Sequence, residues 1–403
     1  MQKIQRKKEI GKLSVLKDRN LIKVITGVRR CGKSTLLLQF QEVLRAENPL
    51  VSIVSINLDF PEFRFLAEKN WAAIYDYIQD LLQKGVKNYV FIDEIQNIPE
   101  FEKLLEGLFV NPEVDLYVTG SNAYLLSSEL ATLLTGRAFE INVLPFSFTE
   151  YLEYTAKSAN PDRAFADFMR TGGFPEAVGL AQEGENLAYA YLTTVFQNIY
   201  QNDIQKRHTI YYEMSYQEVV HFLIDSIGSP VSAGNIAKVL TANGKKIDNK
   251  TVSKYIDTLV ESYLFYKVNR YDIRGKQHLA TLEKYYLVDL GLRYSLLGKE
   301  LATDAGHLLE NVIFLELKRR DEQVWVGKAD RLEVDFVARD KEGFTKYIQV
   351  ALTVKEQKTL DRELAPFAKI PDYNERWLIT MDYEKGSHNG VKQVNAIDWL
   401  LNR

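Results

Sequence analysis

Cysteine is all but missing from this 403-residue chain: Cys31 is alone, which excludes an internal disulfide and any cysteine-based zinc site. Histidine is scarce as well. His208, His221, His278, His307 and His388 are scattered with no close pair, so a histidine metal cage is not expected. No apolar run approaches the roughly 18 residues that a membrane-crossing helix needs, and no spanning segment is expected. The basic start MQKIQRKKEIGKL has no apolar stretch behind it, so a secretory signal is not expected either. Internal repeats and low-complexity linkers are lacking. Together these absences point to the cytoplasm, with no membrane partner.

What is present is ordinary for a globular protein: 46% apolar and 26% charged residues, in a length that suits about two to four domains. The net charge of −3 argues against a protein that coats nucleic acid. Charge is uneven, however. Residues 1–30 hold ten Lys/Arg against Glu9 and Asp18, and residues 229–276 hold nine Lys/Arg against four Asp/Glu. Two basic islands in an acidic chain suit local contact with phosphates, or simply a solvated surface.

The first 145 residues alternate short β-rich runs (21–26, 51–56, 89–92, 116–119) with helical spacing at 34–46 and 71–83. That alternation implies parallel βαβ units and a doubly wound sheet. Residues 149–212 turn helical, broken by Gly172-Gly173-Phe174-Pro175. Short helices and then strands occupy 216–290. The remainder is mixed, with a helix at 304–320 and strands near 323–326, 332–338 and 345–350.

Between the first strand and the first helix lies Gly27-Val28-Arg29-Arg30-Cys31-Gly32-Lys33-Ser34, which fits G-x-x-x-x-G-K-[ST] and is followed by Thr35. The glycines let backbone N–H groups wrap phosphates, and the helix N-terminus adds positive potential. Lys33 is expected to reach the β- and γ-phosphates of ATP, with the Ser34 hydroxyl on Mg2+. Arg29, Arg30, Cys31 and Thr35 are counted with Gly27, Gly32, Lys33 and Ser34 as nucleotide-binding candidates, and Cys31, one of the loop's variable positions, then needs no redox role. A second element, Tyr89-Val90-Phe91-Ile92-Asp93-Glu94, delivers two carboxylates at the end of a strand, where open α/β sheets bind ligands. Asp93 is expected to hold Mg2+ and Glu94 to act as base toward the attacking water. The next strand ends in Thr119-Gly120-Ser121-Asn122, where Asn122, with Ser121 next, is the candidate sensor of the γ-phosphate. Arg137, before the run 139–143, is the candidate arginine for a neighbouring subunit's site. A surface arginine on a loop is the plainer reading of that position.

These segments, with LTGR at 134–137, LPFSFTEY at 144–151 and TGGFPE at 171–176, resemble a prokaryotic AAA-family ATPase followed by a C-terminal domain of unknown function. The resemblance spans essentially the whole chain and is most specific in the first 180 residues. It implies an ASCE-type sheet with the Asp93-Glu94 strand beside the phosphate-loop strand. It also implies a helical lid around GGFPE and strengthens Arg137 as a finger.

Further on, Asp248 is a plausible N-cap for a helix whose apolar face is Val252, Tyr255, Ile256 and Leu259. Asn249, Lys250, Ser253 and Lys254 occupy the other face. With the strand pair 265–271 and 281–288 this resembles a winged helix, with Arg270, Arg274 and Lys276 near the wing. Lys250, Lys254, Arg270 and Arg274 are the nucleic-acid candidates; protein contact is the competing use. At the C-terminus, Glu310, Asp335 and Gln349 fall in the order of the PD-(D/E)XK nuclease pattern. There the E-x-K element reads Gln349-Val350-Ala351, so the catalytic lysine is missing and cleavage is not expected. The expectation is an ATPase core (1–150), a helical lid (151–215), a winged-helix module (216–298) and a degenerate nuclease-like α/β domain (299–403). Nucleotide-driven movement of the C-terminal module is the favoured function. A nucleotide switch or scaffold with little turnover is one alternative, and an ATP-dependent nuclease another. The candidate partners are ATP, DNA, a protein and further copies of the chain.

Overall fold

The computed structural model describes residues 4–123, 136–245, 247–298 and 305–403, with backbone alone at 67, 69, 280 and 281. Residues 124–126 and 134–135 of two motifs therefore lie outside the described residues. The chain divides into two compact units. One runs to Val143 and includes Glu261–Tyr263; the other holds Leu144–Val260 and Leu264–Arg403. Among the described residues no helix is long and apolar enough to cross a membrane.

The N-terminal unit is built on a five-stranded sheet in the order β2-β3-β4-β1-β5. Its strands are β1 (Ile22–Thr26), β2 (Ser52–Asn57), β3 (Asn88–Asp93), β4 (Val114–Gly120) and β5 (Ala138–Asn142), all parallel. Central strands β1 and β3 are buried along their whole length, as parallel strands covered on both faces must be. The helix Lys33–Glu47 buries Leu36, Leu37, Phe40 and Leu44, and Phe101–Phe109 buries Leu104, Leu105 and Leu108. Phe40 packs on Phe91 and Tyr117, whose rings stack with centroids 4.7 Å apart. One expectation needs correction. The Asp93-Glu94 strand is not beside the phosphate-loop strand, because β4 lies between them. The insertion brings Thr119, at the end of β4, against Asp93. Part of the first basic island has internal partners: Lys23 is fully buried against Asp115 of β4, and Lys17 pairs with Glu47.

The second unit begins with the helices Phe148–Thr155, Pro161–Thr171, Pro175–Glu183 and Glu185–Ile199, followed by Glu213–Asp225, Ala233–Ala242 and Asn249–Glu261. A nine-stranded mixed sheet follows among the described residues, in the order β13-β14-β12-β11-β10-β9-β7-β8-β6. These strands are β6 (Pro230–Val231), β7 (Phe265–Asp272), β8 (Gln277–Leu287), β9 (Gln323–Ala329), β10 (Leu332–Arg339), β11 (Thr345–Ala351), β12 (Glu375–Thr380), β13 (Gly386–His388) and β14 (Val391–Asn395). The boundary expected at 298/299 is not a boundary of this sheet. β7 pairs in parallel with β9, Arg270 opposite Val326, so one set of hydrogen bonds crosses it.

The GGFP and LPFSF segments form a clasp within this unit. Gly172 has φ 73°, and a Cβ there would lie 1.9 Å from Asp289 Oδ1, so only glycine fits. The N–H groups of Gly173 and Gly291 donate to the two Asp289 oxygens at 2.5 and 2.8 Å. Phe146 N–H donates to the Gly173 carbonyl at 2.7 Å, while Arg319 Nη2 donates to the carbonyls of Pro145 and Phe146 at 2.8 and 3.1 Å. Asp289→Ala would leave two buried N–H groups without acceptors, at about 1–3 kcal/mol each. The expected outcome is a lower urea midpoint for the transition of this unit; an unchanged midpoint would show that the clasp carries no stability.

Candidate nucleotide site

The phosphate loop leaves the C-terminal end of β1 and enters the helix Lys33–Glu47 through Gly32, which has φ 108°. Gly27 has φ 139°, and a Cβ on it would fall 2.1 Å from the Val143 carbonyl oxygen. The loop is thus pressed against the end of its own sheet, and Cys31 Sγ donates to the same carbonyl at 3.2 Å. Burial pushes the Cys31 thiol up from its ordinary value, consistent with a packing residue and not a nucleophile. Arg6, a buried residue that the motif search passes over, braces the loop from the N-terminal segment: its Nη2 donates to the Cys31 carbonyl at 2.9 Å.

Lys33 is 3% exposed. Its Nζ donates to the carbonyls of Gly27 and Val28 at 2.9 and 3.2 Å and lies 3.8 Å from Glu94 Oε1. Asp93 and Glu94 close the site from β3. Asp93 accepts hydrogen bonds from Thr119, from Asn57 Nδ2 at 3.1 Å and from Ser34. Burial pushes the Asp93 carboxyl up, against the hydrogen bonds from Ser34 and Thr119. A buried carboxylate short of positive charge, next to a hydroxyl, is a hard-oxygen pair suited to Mg2+. Glu94 has φ 59° and is held by Gln96 and by Ser121 Oγ, which donates at 3.2 Å. Burial acts to raise its carboxyl, but the charges of Lys33 and Arg29 and the bonds from Gln96 and Ser121 prevail. Its value sits below the ordinary one, so Glu94 is ionised at neutral pH.

The sequence candidates therefore converge in part. Gly27, Gly32, Lys33, Ser34, Asp93, Glu94 and Ser121 form one cluster, with Asn122 buried directly after Ser121. Arg29 faces Glu94 electrostatically, while Arg30 and Thr35 are exposed on the loop and first turn. Thr119, Asn57, Gln96 and Arg6 join them unforeseen. Arg137 does not. It precedes β5, its carbonyl accepts from Ile22 N–H, and Ala138 pairs with Ile22 at the start of β1. A strand rise of about 3.3 Å per residue separates it from its own phosphate loop by roughly 17 Å. There it is exposed, with its guanidinium 5.7 Å from the Phe109 ring centroid.

In the second unit, Lys250 and Lys254 are exposed on the helix Asn249–Glu261, and Asp248 accepts from Thr251 N–H at its start. The nucleic-acid candidates Arg270 and Arg274 each have an ion-pair partner: Arg270 pairs with Glu333 at 3.5 Å and Arg274 with Asp330 at 2.7 Å. Each has an acidic neighbour from β10 or the turn before it. Glu310, Asp335 and Gln349 do come together, lining a cleft of about 910 Å3. Asp335 Oδ2 accepts from Val350 N–H at 2.8 Å, and Gln349 Oε1 accepts from Asp335 N–H at 3.3 Å. Lys284 of β8 reaches in among them, 3.0 Å from Glu310 Oε1 and 2.9 Å from Glu333 Oε1. Burial would lower the Lys284 ammonium, but Glu310, Asp335 and Glu333 raise it overall, so it is charged. Among the described residues no group of three or more His, Cys, Asp or Glu is arranged to hold a metal ion.

Comparison with known proteins agrees with this geometry. Residues 19–152 match the AAA domain, and residues 162–303 match a domain of unknown function (DUF8612). The chain is 38% identical over 403 residues to an uncharacterised protein of Haemophilus influenzae, covering 99% of this chain and 98% of that one. It is 29% identical over 373 residues to an uncharacterised protein of Methanocaldococcus jannaschii, covering 87% and 78%. Among solved structures, a chain from the Drosophila ORC bound to AT-rich DNA and Cdc6 aligns with TM-score 0.26 and 11% identity, over 73% of this chain and 91% of that one. A DNA polymerase III gamma subunit-related protein of Thermotoga maritima aligns with TM-score 0.27 and 12% identity, over 62% and 92%. Likenesses that distant carry no functional argument. The phosphate loop, the paired carboxylates at the end of β3 and the near full-length relative together make this chain a member of the AAA family of P-loop ATPases, in the branch whose AAA domain is followed by this domain of unknown function.

Proposed function

We propose that the chain binds and hydrolyses ATP with magnesium, and that the nucleotide state acts on the second unit. One observation carries the reading: a buried ammonium, a hydroxyl–carboxylate pair and an ionised glutamate converge where β1 and β3 end. Lys33 now bonds to carbonyls that a phosphate oxygen, as a full anion, would outcompete. Ser34 and Asp93 would hold Mg2+, which neutralises phosphate charge when bound. Glu94, ionised and beside Lys33, is suited to accept a proton from the attacking water. Ser121 and Asn122 would report the γ-phosphate to β4.

Arg137 cannot serve its own site across the sheet. Its exposure at the opposite end of the strands supports a role in a neighbouring copy, where it would neutralise charge in transfer. The ties from Gln96 and Ser121 to Glu94 favour a second reading, a nucleotide switch with little turnover. Steady-state phosphate release separates the two.

In the second unit, the succession of the helix Glu213–Asp225, β6, two helices and the hairpin β7–β8 supports a winged-helix reading. The exposed Lys250 and Lys254 are its leading candidate cations for nucleic acid. The cleft around Glu310, Asp335 and Gln349 supports the nuclease-like reading of the module, without cleavage.

Glu94→Gln is expected to bind ATP at the parent affinity and lose phosphate release by at least about 100-fold, the scale of general base catalysis. Arg137→Ala is expected to do likewise. Mixing the two variants tests the shared site: an intact Glu94 beside an intact Arg137 from the other variant should recover part of the activity. No recovery on mixing would remove the shared-site reading. For the second unit, DNA affinity should fall steeply with salt, and replacing Lys250 and Lys254 with Ala should flatten the log–log slope by up to about two units. Unaltered salt dependence would assign that face to a protein partner.

A further inference from the structure

The nuclease-like centre contains a cation that its sequence pattern does not contain. Position 351, where the pattern calls for lysine, is alanine. Lys284 comes instead from β8, far upstream in sequence, and its side chain is 4% exposed. Its ammonium hydrogen-bonds to Glu310 from the helix Ala305–Arg319 and to Glu333 from β10, at 3.0 and 2.9 Å, and stands 3.8 Å from Asp335. The ammonium thus stands between a helix carboxylate and two carboxylates of a sheet strand, surrounded by oxygen as a divalent cation would be.

Further hydrogen bonds hold the same carboxylates in place. Tyr286 Oη donates to Glu310 Oε1 at 2.6 Å, and Val350 N–H donates to Asp335 Oδ2. Gln349 is spanned at both ends, its Oε1 by Asp335 N–H and its Nε2 by Glu363 at 2.9 Å. A lysine acting beside a metal would leave the carboxylates facing the cleft; this one bridges them.

We propose that Lys284 is an internal counter-ion that takes the place of a divalent metal at this centre, leaving a cleft that cannot assemble metal-dependent phosphodiester hydrolysis. The proposal rests on the nuclease-like reading of this module and on its side-chain geometry, and is independent of the ATPase reading. Removing the lysine alone would leave the buried Glu310 carboxylate without its cation, which is destabilising, and would open an oxygen site.

The test uses nucleotide-free full-length protein and Mn2+ as the probe, read by calorimetric titration and by the unfolding midpoint. The parent protein is expected to show no Mn2+ response that depends on Glu310. Lys284→Met should lower the midpoint in EDTA, bind Mn2+ at least about tenfold tighter than the parent and regain midpoint on adding it. Glu310→Gln on that background should abolish the gain. If Lys284→Met fails to fold, the Lys284→Met/Glu310→Gln pair, which removes one charge of each sign, should recover a folded protein. A parent Mn2+ response abolished by Glu310→Gln would overturn the proposal, since metal and lysine would then share the site. So would a Lys284→Met variant that is as stable as the parent and blind to Mn2+, or a double variant no better folded than the single one.

Discussion

A buried ammonium needs anionic or carbonyl oxygen on every side it presents, and Lys33 finds that only where the phosphate loop, β3 and β4 meet. The rest of the N-terminal unit is arranged around that need. Gly27 lets the loop press against the Val143 carbonyl, Gly32 turns it into the helix, and Arg6 holds the Cys31 carbonyl from behind. Glu94 remains ionised because the charges of Lys33 and Arg29, with the hydrogen bonds from Gln96 and Ser121, together outweigh the cost of burying it. The same balance leaves Asp93, one residue away, short of positive charge. Two adjacent carboxylates thus acquire different chemistry from their surroundings, one suited to a metal and the other to a proton.

The second unit solves a similar problem twice with internal partners. Asp289 is held by backbone N–H groups from two glycine segments, and Glu310, Glu333 and Asp335 gather around Lys284. In both places a buried ionisable group draws together residues far apart in sequence. The GGFP segment needs no catalytic role to explain it. Its glycines are where the chain must pass close to a carboxylate and to the Phe146 carbonyl.

Much of the fold is legible in the sequence because local chemistry dictates it. The loop 27–34, the strand delivering Asp93-Glu94 and the helical faces at Leu36, Leu37, Phe40 and Val252, Tyr255, Ile256 all follow from spacing. Strand order does not. That β4 lies between β1 and β3 is a non-local fact, and with it went Thr119 as a partner of Asp93; Asn57 reaches Asp93 from β2, on the other side of β3, an equally non-local pairing. The acidic partners of Arg270 and Arg274 are hidden from the sequence for the same reason: Glu333 and Asp330 are some sixty residues away. Lys284 escaped notice because the pattern places its lysine on the strand that holds Gln349, and no spacing rule reaches back to β8.

The claim on which the functional reading turns is that Lys33 exchanges its carbonyl partners for phosphate, with Ser34 and Asp93 supplying a magnesium site. Calorimetric titration of the parent chain with ATP, with and without magnesium, tests it directly. Saturable binding that magnesium strengthens is the expected result. No binding, or binding indifferent to magnesium, would contradict it.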